Sequence, residues 1–123
     1  MIGCMDAQTE PFDGDRCWAT LATGSLGRVA LSMAAMPVVV PVRYTVEGGA
    51  LRVKPPKMAR IDKALSGSIV AFQADGIDPE ASRAWSIHAI GRVESADSPG
   101  ADPNGRTFEI RPLLIEGDWL VFD

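Results

Sequence analysis

From Leu26 the chain alternates apolar and polar positions with a period of two, the pattern of strands that bury one face. Val29 and Leu31 alternate with Arg28 and Ala30, and a turn falls at Ala34-Ala35. The run 38–46 then places Val38, Val40, Val42 and Tyr44 on one face and Val39, Pro41 and Arg43 on the other. Glu47-Gly48-Gly49 predicts a hairpin turn, with 51–54 as the returning strand. Two stretches follow a helical period instead. Asp13 and Asp15 open a segment with Trp18, Leu21 and Ala22 at helical spacing, closed by Gly24. A second helix is predicted over 57–65, with Met58, Ile61 and Leu65 on its buried side. Further strands are predicted over 68–74 and 83–94, then short ones over 107–110, 113–115 and 119–122. Segments 75–82 and 95–105 read as turn-rich loops. Residues 1–11 have no period and read as a flexible N-terminal lead to one domain over 12–123. Six or seven strands with two short helices point to a mainly β fold, a small antiparallel β-barrel with peripheral helices.

Composition narrows the class without naming it. The chain has 123 residues, 46% of them apolar, enough for one core. Its 12 Gly and 9 Pro agree with many turns. With 12 Lys+Arg against 16 Asp+Glu the net charge is −4, which excludes a general electrostatic grip on nucleic acid or on an anionic membrane. No run approaches the roughly 18 apolar residues of a membrane span, and the first eleven residues lack the layout of a secretory signal. Cys4 and Cys17 belong to no Cys/His cluster, so no metal site is expected; they read as reduced thiols of a cytoplasmic protein.

The distribution of charge is more informative than its sum. Arg52, Lys54, Lys57, Arg60 and Lys63 face one acid, Asp62, within twelve residues, a local +4 in a chain of net −4. Lys57 falls in the first turn of the predicted helix, where the macrodipole disfavours a cation, and Arg60 shares its face. The stretch reads either as a phosphate or carboxylate site or as a solvated basic face. Pro41 in mid-strand cannot donate to a ladder, so that strand is an edge or is bulged there. Its unpaired backbone suits a flat heteroaromatic ligand, with Arg43 beside it as a cation; the alternative is an ordinary strand whose arginine reaches solvent. The remaining residues offer less. His88 has no ordered Ser/Asp or Cys partner in the pattern, and Asp75, Asp78 and Glu80 lack the spacing of a calcium loop. Met33, Met36 and Met58 read as core filling. Trp85 falls on the apolar face of its strand and Ser86 on the other. No residue stands out as a general acid or base.

Taken in order, these segments resemble one family. Leu26-Gly27-Arg28-Val29-Ala30-Leu31 is followed by Pro37 to Tyr44, a Gly-Gly hairpin, Leu51-Arg52-Val53 and Lys57 at a helix. Val70-Ala71-Phe72, Ile77-Asp78-Pro79 and Trp85-Ser86-Ile87 lead on to Gly91-Arg92-Val93. The chain is similar over about 15–115 to the pyridoxamine 5′-phosphate oxidase-like proteins, the FMN-binding split β-barrels. That resemblance implies a homodimer with flavin in two grooves at the subunit interface and a small-molecule substrate. It implies that the backbone of Val39, Val40, Pro41, Val42 and Arg43 lies along the isoalloxazine. Lys54 and Lys57 would then lie near the phosphate, with Arg60 as a further candidate, and Trp85 and Ser86 would contact the flavin. The chain departs from the family's pattern at Arg43, where Asn is usual, and at Pro55-Pro56. It also ends differently from the authentic oxidase, so oxidation of vitamin B6 is not expected. The expected function is a small FMN-dependent oxidoreductase. The alternatives are a deazaflavin-dependent reductase, a non-catalytic flavin or haem carrier, or a chain with no cofactor bound.

Overall fold

Ala34 and Ala35 have positive φ, 50° and 64°, and turn the chain between β2 (Leu26–Met33) and β3 (Met36–Glu47). A two-residue turn of this kind matches the twist of the strands it joins, and it sets their register: Met33 opposes Met36, and Leu26 opposes Arg43. Gly48 and Gly49, also at positive φ, make the second two-residue turn into β4 (Ala50–Lys54). The computed structural model describes residues 9–11, 13–57, 59–80, 82–95 and 107–120. Its other elements are β1 (Thr9–Pro11), α1 (Gly14–Leu21), α2 (Ala59–Leu65), β5 (Ile69–Asp78), β6 (Arg83–Ser95) and β7 (Phe108–Leu120).

All strand pairs are antiparallel, in the order β1-β7-β4-β3-β2-β5-β6, and β6 pairs again with β7. Each strand from β2 to β6 therefore has two partners and β7 has three, and the hydrogen-bonded circuit closes on itself. The fold is mainly β, as the alternation predicts. Inside the circuit, Val40, Val29, Phe72 and Ala89 stand in one row across β3, β2, β5 and β6, all buried. The helices complete this core: α1 supplies Cys17 and Leu21, and α2 supplies Ile61 and Leu65. Asp13 caps α1 by accepting the Arg16 N–H at 2.8 Å. Gly27 is required by close approach, since a Cβ there would lie 2.7 Å from the Phe72 ring. No helix among the described residues is long and apolar enough to cross a membrane.

Four boundaries differ from the sequence reading, each for a physical reason. The three short strands expected after 106 are one strand, β7, because Leu113 is bulged out between Pro112 and Leu114, the partners of Gly91 and Ile90. The bulge takes up the irregularity at the proline, and pairing continues on both sides of it. The expected loop over 75–82 starts later, since Asp75 to Asp78 stay paired with β6 despite their turn-like composition. The second helix begins at Ala59, so Lys57 lies in the bend before it rather than in its first turn. Finally, Thr9–Pro11, inside the expected flexible lead, forms a strand against the end of β7; the rest of that lead lies outside the described residues, as do Cys4 and Met58.

Candidate functional site

The most unusual piece of backbone is the first half of β3. In a two-residue hairpin the residues flanking the turn exchange hydrogen bonds, and bonded and non-bonded pairs then alternate. Met36, Val38, Val40 and Val42 therefore bond toward β2, and the Tyr44 N–H continues the series by donating to the Ser25 carbonyl at 3.0 Å. The odd-numbered residues bond the other way. From Arg43 to Glu47 that side is covered by β4, but β4 stops at Lys54, opposite Arg43. Pro37, Val39 and Pro41 thus turn their backbone groups to an open edge. Two of the three lack an N–H, so this edge offers three carbonyl acceptors and one donor, the peptide N–H of Val39. Val39 itself is 65% exposed.

Two clefts lie along this strand. One, of about 420 Å³, runs from Met33 and Met36 past Val38 to Pro41, with Arg60 and Ile61 of α2 as its other wall. The other, of about 570 Å³, begins two residues further on and is lined by Ser25, Arg43, Thr45, Arg52, Lys54 and Thr107. Arg52 is matched by Glu47, with Nε 2.6 Å from the carboxylate. Arg43 and Lys54 are register partners on the same outer face, two cations side by side. The structure thus places Val39, Val40, Pro41 and Arg60 on the first cleft and Arg43 and Lys54 on the second, while the Val42 side chain is buried in the core and lines neither. Lys57 is exposed at the bend and lines neither cleft.

Trp85 and Ser86 lie elsewhere on the chain and part company, as alternation requires. Trp85 is buried, with its ring 2.7 Å from where a Cβ on Gly76 would lie. Ser86 is on the outer face, in a network that sequence reasoning missed. Arg28 Nη1 donates to Gln73 Oε1 at 2.6 Å and stands 3.5 Å from the Asp75 carboxylate. Gln73 Nε2 in turn donates to Ser86 Oγ and to Asp75 Oδ2, both at 3.2 Å. His88, two residues from Ser86, pairs with Glu116 at 3.3 Å. Arg28, Gln73, His88 and Glu116 are successive register partners, so they form one polar row across four strands. Nothing in the local pattern signals this row; it exists only once the register is known.

The next outer row is apolar. Val39, Ala30, Ala71, Ile90 and Leu114 are register partners across β3, β2, β5, β6 and β7, and the bulged Leu113 beside them is 78% exposed. Beneath the site, the Tyr44 hydroxyl donates to the Leu21 carbonyl at 2.6 Å, tying β3 to the end of α1. Burial pushes the Tyr44 phenol above its ordinary pKa. Burial, then the carboxylates of Asp13 and Asp118, push the Cys17 thiol up as well.

This arrangement coincides with a family match over most of the chain: residues 13–120 fit the model described as pyridoxamine 5′-phosphate oxidase. The chain belongs to that family. It is 29% identical over 93 residues to the uncharacterized protein Rv0080 of Mycobacterium tuberculosis, an alignment covering 72% of this chain and 61% of that protein. Among solved structures, the FAD binding protein from Mycobacterium smegmatis superposes with a TM-score of 0.78 at 18% identity, over 92% of this chain and 99% of that one. A putative pyridoxamine 5′-phosphate oxidase from Corynebacterium glutamicum gives 0.77 at 20% identity, over 97% and 98%. At these identities the structural likeness establishes the shared fold.

Proposed function

We propose that this protein is an FMN-binding split β-barrel that works as a homodimer and transfers a hydride or electrons between reduced flavin and a small organic substrate. The observation that carries the reading is the open edge of β3, with one donor among three acceptors, running directly into the Arg43–Lys54 cation pair. A flavin presents both donors and acceptors along its pyrimidine edge and ends in an anionic phosphate, so the donor set of the region fits the group. The FAD-binding protein of the same fold supports a flavin in particular. Val39, Pro41 and their neighbours would hold the ring through the backbone, and Lys54, in the cleft beyond Arg43, would serve the phosphate, while Arg60 walls the cleft beside the ring. Arg43, beside the ring so held, would favour negative charge on it. When bound, the flavin supplies the electron chemistry; the chain orients it and limits its contact with water.

The apolar row from Val39 to Leu114 supports the dimer. It crosses five strands on the outer face, and such a face on a soluble chain is normally covered by a partner. With the polar row from Arg28 to Glu116 alongside, and Ser86 hydrogen-bonded to its Gln73, a second copy seated here would bring its Ser86 toward the groove. Absorption spectra before and after addition of FMN test the cofactor, and turnover with a panel of electron acceptors tests the reaction.

A further inference from the structure

The cleft of about 420 Å³ beside β3 is lined by apolar side chains except at Arg60. Met33 and Met36 oppose each other across the Ala34-Ala35 turn and form one end of it, with Val38 next along the strand and Ile61 of α2 across the gap. No acidic side chain lines it. Arg60 stands out among the cations as well. Every other described arginine except Arg43 donates to an oxygen, stands against a carboxylate or lies over the Trp119 ring. Arg43 and Arg60 do none of these with the described residues. Arg43 has its part in the flavin reading, which leaves Arg60 as a single uncommitted guanidinium on an apolar cleft. The cleft also extends past the anchors of the ring. Val39 and Pro41 fix the ring on the open edge, and Met36 lies three residues before Val39, about 10 Å along an extended strand. The Met33–Met36 end lies beyond those anchors.

These groups define a ligand chemistry. Methionine side chains are unbranched and polarisable, so this end adapts to apolar bodies of differing shape. A guanidinium on the wall of such a cleft takes a carboxylate through two parallel N–H···O bonds. One cation with no second beside it matches one negative charge rather than a polyanion. We propose that this end of the cleft receives the substrate of the flavin, a monocarboxylate on an apolar body, with its carboxylate on Arg60 and its body against Met33, Met36 and Val38. The proposal rests on the flavin reading and narrows its small organic substrate to that class. Arg60, a phosphate candidate from sequence, is a substrate residue here.

The test is an NMR titration of FMN-saturated protein, labelled with 13C at the methionine methyls, with trans-cinnamate. The chain has five methionines, and the methyl resonances of Met33 and Met36, assigned from Met33→Leu and Met36→Leu, are expected to shift saturably. Cinnamyl alcohol, which lacks the charge, and fumarate, which lacks the apolar body, should each bind at least fivefold more weakly. Arg60→Gln should raise the Kd for cinnamate at least fivefold, and Arg60→Lys should raise it less. Arg60 is exposed, so both variants keep the fold. Flavin fluorescence of the same samples separates the two ways of failing. If FMN does not saturate the protein, the flavin reading falls and this proposal with it. With FMN bound, the proposal alone is overturned by the absence of a saturable shift at Met33 and Met36, by release of FMN as cinnamate binds, or by an unchanged cinnamate Kd in Arg60→Gln. A loss of FMN affinity in that variant as large as the loss of cinnamate affinity overturns it too, since Arg60 would then serve the flavin.

Discussion

Arg43 on β3 and Lys54 on β4 stand directly opposite each other on the outer face of the strand pair, like charges in the position where a sheet normally sets opposite ones. Like charges set directly opposite each other on a sheet are destabilising, by up to about 1 kcal/mol. In the proposed site an anionic ligand would remove that cost. Arg43→Gln is therefore expected to act in opposite directions. Urea unfolding without ligand should show a gain of roughly 0.2–1 kcal/mol, while FMN affinity falls at least tenfold. A variant that loses stability and binds FMN as tightly as the parent contradicts the assignment.

The donor count at the open edge gives a second expectation. Val39 directs its N–H away from β2, so Val39→Pro removes the edge's one donor without breaking a ladder hydrogen bond. FMN binding should weaken at least tenfold in Val39→Pro and stay within threefold of the parent in Val39→Ala. Equal affinities for the two variants would show that the peptide N–H is not read.

Ile90 lies at the middle of the exposed apolar row, between Ala71 and Leu114. A charge there would be desolvated by a partner subunit but left in water on a lone chain. Sedimentation velocity should find a dimer for the parent and a monomer for Ile90→Asp, with the same circular dichroism spectrum. A parent that sediments as a monomer at micromolar concentration removes the interface.

Tyr44 joins the strand of the site to the helix at the end of the circuit. Tyr44→Phe leaves the Leu21 carbonyl without its donor and should cost about 1–3 kcal/mol. The pH profile separates this hydroxyl from simple packing. The folded chain holds the phenol proton more tightly than the unfolded chain does, so the stabilisation is complete below the ordinary pKa of 10.0. It is lost as pH rises from there through the raised folded value. Urea midpoints of the parent should fall across that alkaline range more steeply than those of Tyr44→Phe; parallel profiles would refute the point.

Where one face is buried and the turns are short, the pattern of residues carries the structure. Val38, Val40, Val42 and Tyr44 alternate with Val39, Pro41 and Arg43 as their hydrophobicity requires, and Pro41 by itself announces an open edge. The local positive charge around Lys54 is equally legible, because charge needs no register to be counted. What escapes is everything that depends on pairing between distant segments. Leu113 looks like a strand residue and is a bulge, because its fate is set by Gly91 and Ile90 across the sheet. Asp75 and Gly76 look like a turn and are held in β5 by Ser86 and Trp85. Arg28, Gln73 and Ser86 meet only through register, and Lys57 misses the helix because two prolines delay its start.

The central claim is that the edge of β3 and the Arg43–Lys54 pair form a flavin site. Titration of FMN with the purified protein, followed by flavin fluorescence, tests it most directly. The account predicts a saturable change that ends at one flavin per chain and weakens at least tenfold in Arg43→Gln. A fluorescence signal that stays linear in added FMN, with no saturation at micromolar protein, would contradict it.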